Sequence, residues 1–225
     1  MNANIKKALS LLFLLLPFVS VAHDVTSADQ EILRNGGLFA YIHVGATHML
    51  TGYDHLLFLA GVVFYLTGIK DILKFITAFT IGHCITLIGA TYASITANEH
   101  LVDAVIALSI LYKGFENLGG FEKLKVKSPN LLLMVVVFGL IHGFGLSTRL
   151  QSFENGTEDL LAKILCFNLG VEVGQVLALI PIVALFTFAR KHKQFPAFYK
   201  AVNWYLIIAG VFLFLYQMSG YYSGH

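Results

Sequence analysis

The sequence predicts an all-α fold: a polytopic membrane helix bundle of about six transmembrane helices after a cleaved signal peptide. Three observations predict it. The 225 residues are 57% hydrophobic and 12% charged, about half the charged share of a soluble domain. The apolar residues fall in long runs nearly free of charge, each close to the ~20 residues that cross a bilayer as a helix. The Lys and Arg between those runs divide unevenly, as the positive-inside rule requires. This composition argues against a soluble globular enzyme. A formal net charge of +2 with no basic stripe sets nucleic acid aside as a partner.

The first apolar run differs from the rest. Lys6 and Lys7 precede Ala8 to Val19, and Ser20-Val21-Ala22 supplies small residues at the cleavage positions, so residues 1–22 read as a secretory signal peptide, with an uncleaved first span as the alternative. Cleavage would leave His23 at the mature N-terminus, heading a periplasmic segment over 23–45. Within it, Ser27-Ala28-Asp29-Gln30 reads as a capping box opening a short helix on the outer membrane surface, which Gly36-Gly37 would end.

Six spans follow over residues 46–218, at about 46–67, 72–94, 101–119, 131–148, 160–188 and 201–218. A periplasmic tail covers 219–225. With the mature N-terminus outside, the inner loops carry Lys70, Lys74, Lys123, Lys125, Lys127, Arg190, Lys191, Lys193 and Lys200, against Arg34, Arg149 and Lys163 outside. That asymmetry fits a multi-pass protein of a bacterial cell inner membrane. The external loop after span four is acidic, with Glu154, Glu158 and Asp159, and Trp204, Tyr216, Tyr221 and Tyr222 flank span six as interfacial aromatics. Cys84 and Cys166 lie inside apolar runs without metal or disulfide spacing and read as packing residues.

Ionisable side chains at bilayer depth cost several kcal/mol and so face protein or water, usually along a pathway. Span one holds His48, Asp54 and His55, and seven residues of continuous helix would stack His48 over His55 two turns apart. Span two holds His83, with the hydroxyls of Thr80 and Thr86 one turn away to orient its imidazole. Span four holds His142 among glycines that permit close helix approach. Span five presents Asn168, Glu172 and Gln175 as a polar stripe. Counting inward from the span ends puts Asp54, His55, His83, His142 and Glu172 at one depth on four helices.

Imidazole and carboxylate suit a divalent ion, nickel, cobalt, zinc, iron or copper(II), whereas Cu(I) prefers the Cys and Met clusters absent here. The expected metal set is therefore His48, Asp54, His55, His83, His142 and Glu172. His43 would join His48 in a relay nearer the outside. Asp103 lies near the outer edge of span three, while Lys113 either snorkels to headgroups or pairs with Glu116 at i+3. Asn168 and Gln175 would orient ligands or coordinate in passing. His23 could chelate through its amine and imidazole if the signal peptide is removed.

A short internal echo relates Phe79-Thr-Ile-Gly-His83 to Phe167-Asn-Leu-Gly-Val-Glu172. Three spans per half would give halves of opposite orientation, a 3+3 inverted repeat with the site at the midplane between them.

Several stretches together resemble the HupE/UreJ family of membrane proteins. They are His48-x5-Asp54-His55-Leu-Leu-Phe-Leu, Phe79-Thr-Ile-Gly-His83-x-Ile-Thr86-Leu, Ile106-Ala-Leu-Ser-Ile, Phe138-Gly-Leu-Ile-His142-Gly-Phe-Gly and Phe167-Asn-Leu-Gly-Val-Glu172-x-Gly-Gln175. The resemblance covers about residues 40 to 180. It implies a multi-span inner-membrane protein tied to nickel supply for hydrogenase or urease, with metalloenzyme maturation proteins as partners and the His-x5-Asp-His motif as the metal-recognition element. The chain differs from the family pattern at Asp103, where a glutamate is expected, and at Met49, where a proline is expected.

The combined expectation is a permease whose substrate is a divalent transition metal, most readily Ni²⁺, in a lipid bilayer. The alternative from another class is an intramembrane zinc hydrolase acting on a lipid-like substrate through the same residues. A haem protein with paired histidines and a metal-sensing partner of a larger complex are further readings of the same side chains.

Overall fold

The computed structural model describes residues 27–64, 66, 68–153 and 159–224, and among them every regular element is helical. The helices are α1 (Ser27–Asn35), α2 (Gly37–Thr51), α3 (Tyr53–Val63), α4 (Ile69–Tyr92), α5 (Glu99–Asn117), α6 (Gly120–Lys123), α7 (Leu131–Phe153), α8 (Leu160–Arg190) and α9 (Phe195–Ser223). The signal peptide, His23, Glu154 and Glu158 lie outside the described residues.

Four helices, α4, α7, α8 and α9, are long and apolar enough to cross a membrane. They coincide with the second, fourth, fifth and sixth expected spans. The first expected span, 46–67, differs: helix begins at Gly37 and is broken at Gly52 into α2 and the 11-residue α3. The third, α5, falls short of the others because Glu99, Asp103, Lys113 and Glu116 interrupt its apolar character. The short helix expected before the glycines is present as α1. Gly36 donates to the Ile32 carbonyl at 2.9 Å, and Gly37 adopts φ +60°, a left-handed conformation that glycine takes without steric cost.

Several buried polar and charged side chains pair within the helix bundle. Lys113 is buried and places Nζ 2.5 Å from Glu116 Oε2, so it pairs at i+3 and does not snorkel. Asn117 of α5 donates to the Gly61 carbonyl of α3 at 2.9 Å and to Oδ1 of Asn203 on α9 at 2.6 Å, tying three elements together. Arg149, expected in an external segment, is buried within α7 and reaches Asp103 of α5.

Three close helix pairs build the bundle, α2 with α8, α4 with α7 and α5 with α9. Glycines set each approach, as packing inside a membrane requires. A Cβ on Gly45 would strike the Phe167 carbonyl and one on Gly170 the Ile42 carbonyl; a Cβ on Gly139 would strike the Phe79 carbonyl and one on Gly82 the Val136 carbonyl. The two pairs share one register. Val136, Gly139 and Leu140 each follow Ile42, Gly45 and Ala46 by 94 residues, and Phe167, Gly170 and Val171 each follow Phe79, Gly82 and His83 by 88. The α5 and α9 pair matches itself: Gly114 faces Asn203 and Ile207, and Gly210, 96 residues later, faces Ala107 and Leu111, each 96 residues earlier.

Candidate metal centre

The break between α2 and α3 builds the centre. Gly52 has φ −71° and ψ 98°, and its N–H still donates to the His48 carbonyl at 2.9 Å. Those angles suit many residues, so the glycine is explained by crowding. A Cβ there would lie 2.5 Å from His55 Nδ1 and 3.2 Å from Asp54 Oδ1. The break puts Asp54 in the first turn of α3, where the free amides of a helix N-terminus favour a carboxylate. Irregular backbone at such depth is tolerated where protein buries it, and Gly52, Asp54 and His55 are all buried.

Asp54, His55 and His142 gather, one ligand atom from each lying within 4.8 Å of the others. Two ligands each about 2.1 Å from one ion stand about 3.4 Å apart at the tetrahedral angle, so closure of up to about 1.4 Å at the widest pair would let all three share it. His55 Nδ1 lies 2.8 Å from Asp54 Oδ1. His142 Nδ1 faces the Phe138 carbonyl at 2.6 Å, and a carbonyl only accepts, so Nδ1 carries the proton. Neutral imidazole then leaves a bare lone pair on Nε2. That nitrogen is buried with no hydrogen-bond partner, 4.0 Å from Asp54 Oδ2. A lone pair facing a carboxylate in a buried site is an arrangement that a cation between them would stabilise.

The remaining expected residues surround this group at different distances. His48 places its ring 5.2 Å from that of His55, edge-on, despite the helix break. The expected two-turn stack on a continuous helix is thus replaced by a bend that keeps the rings adjacent. His55 and His142 ring centroids are 4.8 Å apart. His83 stands behind Phe79, whose ring is 6.2 Å from His83, 5.1 Å from His142 and 6.3 Å from His55.

The polar stripe on α8 pairs rung by rung with α4. Asn168 donates from Nδ2 to the Ile164 carbonyl at 2.9 Å, which fixes its Oδ1 to accept from His83 Nδ1 at 2.9 Å. Thr80 donates to Gln175 Oε1 at 3.2 Å, leaving the buried Gln175 Nε2 without a hydrogen-bond partner. Thr77 donates to Glu172 Oε1 at 3.0 Å, so Glu172 faces α4 and stands outside the Asp54 group. Thr86 donates to the Leu140 carbonyl of α7 at 2.7 Å. The hydroxyls expected to orient His83 therefore bond elsewhere, and Asn168 orients it.

His43 is exposed midway along α2. Asp103 pairs with Arg149 at 2.8 Å and, with Asp54 and Gln217, lines a small cavity of about 20 Å³, room for one water molecule. Sequence reasoning missed the Gly52 break, the Arg149 pairing and the role of Phe79 as the wall between the imidazoles. Phe79 opens the internal echo, and Gly52 stands inside the His48 to His55 motif.

A family model described as HupE / UreJ protein matches residues 11–224. No curated protein and no solved structure gives a match.

Proposed function

The chain belongs to the HupE/UreJ family, and from that premise we propose that it is a permease of the bacterial inner membrane carrying a divalent transition metal, nickel first, from periplasm to cytoplasm. One observation carries the reading: the unpartnered Nε2 of His142 faces the Asp54 carboxylate beside His55. Asp54, His55 and His142 would hold the ion, with His48 as a fourth ligand. His83, set by Asn168, and Glu172 would take it onward, while His43 and Asp103 would stand on the outer approach. Thr80, Thr86 and Gln175 position the helices that carry these groups.

In this reading residues 46–218 form the six-span domain, with the broken α2 and α3 as the first span and α5 as the third. The signal peptide is 1–22, the mature N-terminus is periplasmic, and His23 is an outer chelator at most. The matched spacings of 94, 88 and 96 residues at the three helix pairs support two halves of three spans in inverted repeat. Imidazole with carboxylate supports Ni²⁺ or Co²⁺, with zinc, iron and copper(II) as competitors.

The test is metal content of the purified protein by elemental mass spectrometry, joined to Ni²⁺ uptake into proteoliposomes, for the native chain, His55→Ala and His142→Ala. Exchangeable Ni²⁺ and uptake in the native chain, both lost in each variant, are expected. Stoichiometric zinc that resists chelator, with no uptake, would overturn the permease and favour an intramembrane zinc hydrolase.

A further inference from the structure

At the 94-residue spacing that relates α2 to α7, His48 corresponds to His142 and Gly52 corresponds to Leu146. The chain breaks at Gly52, whereas α7 runs without interruption through Leu146, although Gly143 and Gly145 come just before that point. The two halves share their packing and differ here: one helix is broken, its counterpart straight. Halves of one fold in opposite orientation can exchange conformations, and the exchanged arrangement opens the site to the other side.

We propose that the end of α7 from Phe144 to Phe153 is a hinged arm, which in the opposite access state swings away at Gly143 while α2 and α3 join into one continuous helix through Gly52. This rests on the permease reading above.

The local geometry permits both changes. Gly52 already has a helical φ of −71°, so turning one dihedral, ψ from 98° to about −42°, closes the helix. Glycine at 143 weakens α7 within one turn of the corresponding position. The arm's polar side chains hold the start of α5 and the segment before it. Arg149 reaches Asp103 at 2.8 Å and Glu99 at 3.4 Å, Thr148 accepts from the Ala97 amide at 3.1 Å, and Gln151 donates to the Ile95 carbonyl at 3.1 Å.

The exchange would also act on the ion. Asp54 and His55 lie on the α3 side of the Gly52 break, His48 on the α2 side, and His142 on the body side of the hinge. Straightening at Gly52 keeps His48 and His55 on one face but sets them two turns, about 10.5 Å, apart along the axis, and moves Asp54 and His55 relative to His142. The ligand group that assembles around the break comes apart when the break moves.

A reversible crosslink tests the arm. A Cβ on Gly145 would stand 3.8 Å from the Val102 Cβ of α5, the usual separation in a disulfide. Val102→Cys with Gly145→Cys, in a Cys84→Ser/Cys166→Ser background, would lock the arm when oxidised. The oxidised protein should bind Ni²⁺ within about threefold of the reduced one, yet its uptake into proteoliposomes should fall at least tenfold and return on reduction. Equal uptake in both redox forms would overturn the hinge.

If neither redox form transports while the background does, hydrogen exchange on the otherwise native full chain decides. Gly52→Ala crowds His55 and favours helix, so residues 53–56 should exchange more slowly and 145–149 faster. No change at 145–149, or a change of the same sign in both segments, overturns the proposal. If the background itself takes up no Ni²⁺, the permease reading fails, and the exchange comparison still reads the hinge by itself.

Discussion

Arg149 crosses from α7 to α5 and sets its Nη2 2.8 Å from Oδ2 of Asp103, with both side chains buried. Gln217 of α9 donates to the same oxygen at 3.3 Å, so three helices meet at one carboxylate. Asp103→Asn would remove the buried counter-charge of the guanidinium and leave it only the more exposed Glu99 carboxylate, 3.4 Å from Nε. Losing one partner of such a pair costs about 3–5 kcal/mol. Thermal unfolding in detergent should drop sharply for Asp103→Asn and recover in large part when Arg149→Gln is added. An unchanged midpoint for the single variant would show that the pair contributes nothing to stability.

Asn168 is the group that presents His83, since its own amide is fixed by the Ile164 carbonyl. Removing a hydrogen-bond partner of a ligating imidazole typically weakens metal binding about 10- to 100-fold. Asn168→Ala should therefore reduce Ni²⁺ affinity by that order, while Thr77→Ala, which frees Glu172, should change it far less. Calorimetric titration of both variants checks the ranking. Affinity within twofold of the native chain for Asn168→Ala would remove His83 from the ion's path.

Much of this architecture is legible in the chain. The runs that became α4, α7, α8 and α9 announce themselves by length and lack of charge, because a bilayer-spanning helix needs both. Asn168, Glu172 and Gln175 were placed on one face by spacing, and they do share it. Periodicity fixes a face, however, and says nothing of what stands opposite. Thr77, His83 and Thr80 of α4 receive those side chains, so Glu172 meets a hydroxyl where the spacing predicted a ligand group. The Gly52 break was hidden for a similar reason. Glycine is common inside membrane helices, and what requires it here is the His55 ring folding back into the space of a Cβ. The Arg149 to Asp103 bond joins residues 46 apart, beyond any local pattern.

Acid should weaken metal binding, and the sign follows from His142. Its Nδ1 already carries the proton donated to Phe138, so a second proton can enter only at Nε2, the atom that faces Asp54. Metal and proton compete for that lone pair, and for the carboxylate beside it. Affinity should fall by up to about tenfold per pH unit for each proton displaced. Titrations in buffers of different ionisation heat would count the protons released. Binding that strengthens toward acid pH would place the ion elsewhere than on imidazole and carboxylate.

Gly45 and Gly139 offer a direct comparison of the two halves. Each stands where a Cβ would strike a phenylalanine carbonyl, Phe167 for Gly45 and Phe79 for Gly139, and each next meets the amide four residues on, Val171 or His83. Carbonyl oxygens within a helix cannot rotate aside, so an added methyl must push the helices apart. Overpacking of this kind costs about 1–3 kcal/mol. Gly45→Ala and Gly139→Ala should therefore lower the unfolding midpoint by similar amounts. Their effects on the centre should differ in one respect: Gly139→Ala separates α7 from α4 and so shifts His142 against Phe79, whereas Gly45→Ala separates α2 from α8 and shifts His48. Each should weaken Ni²⁺ binding along with stability. If one proves neutral and the other severe, the shared register is a coincidence of spacing, and the case for two related halves falls with it.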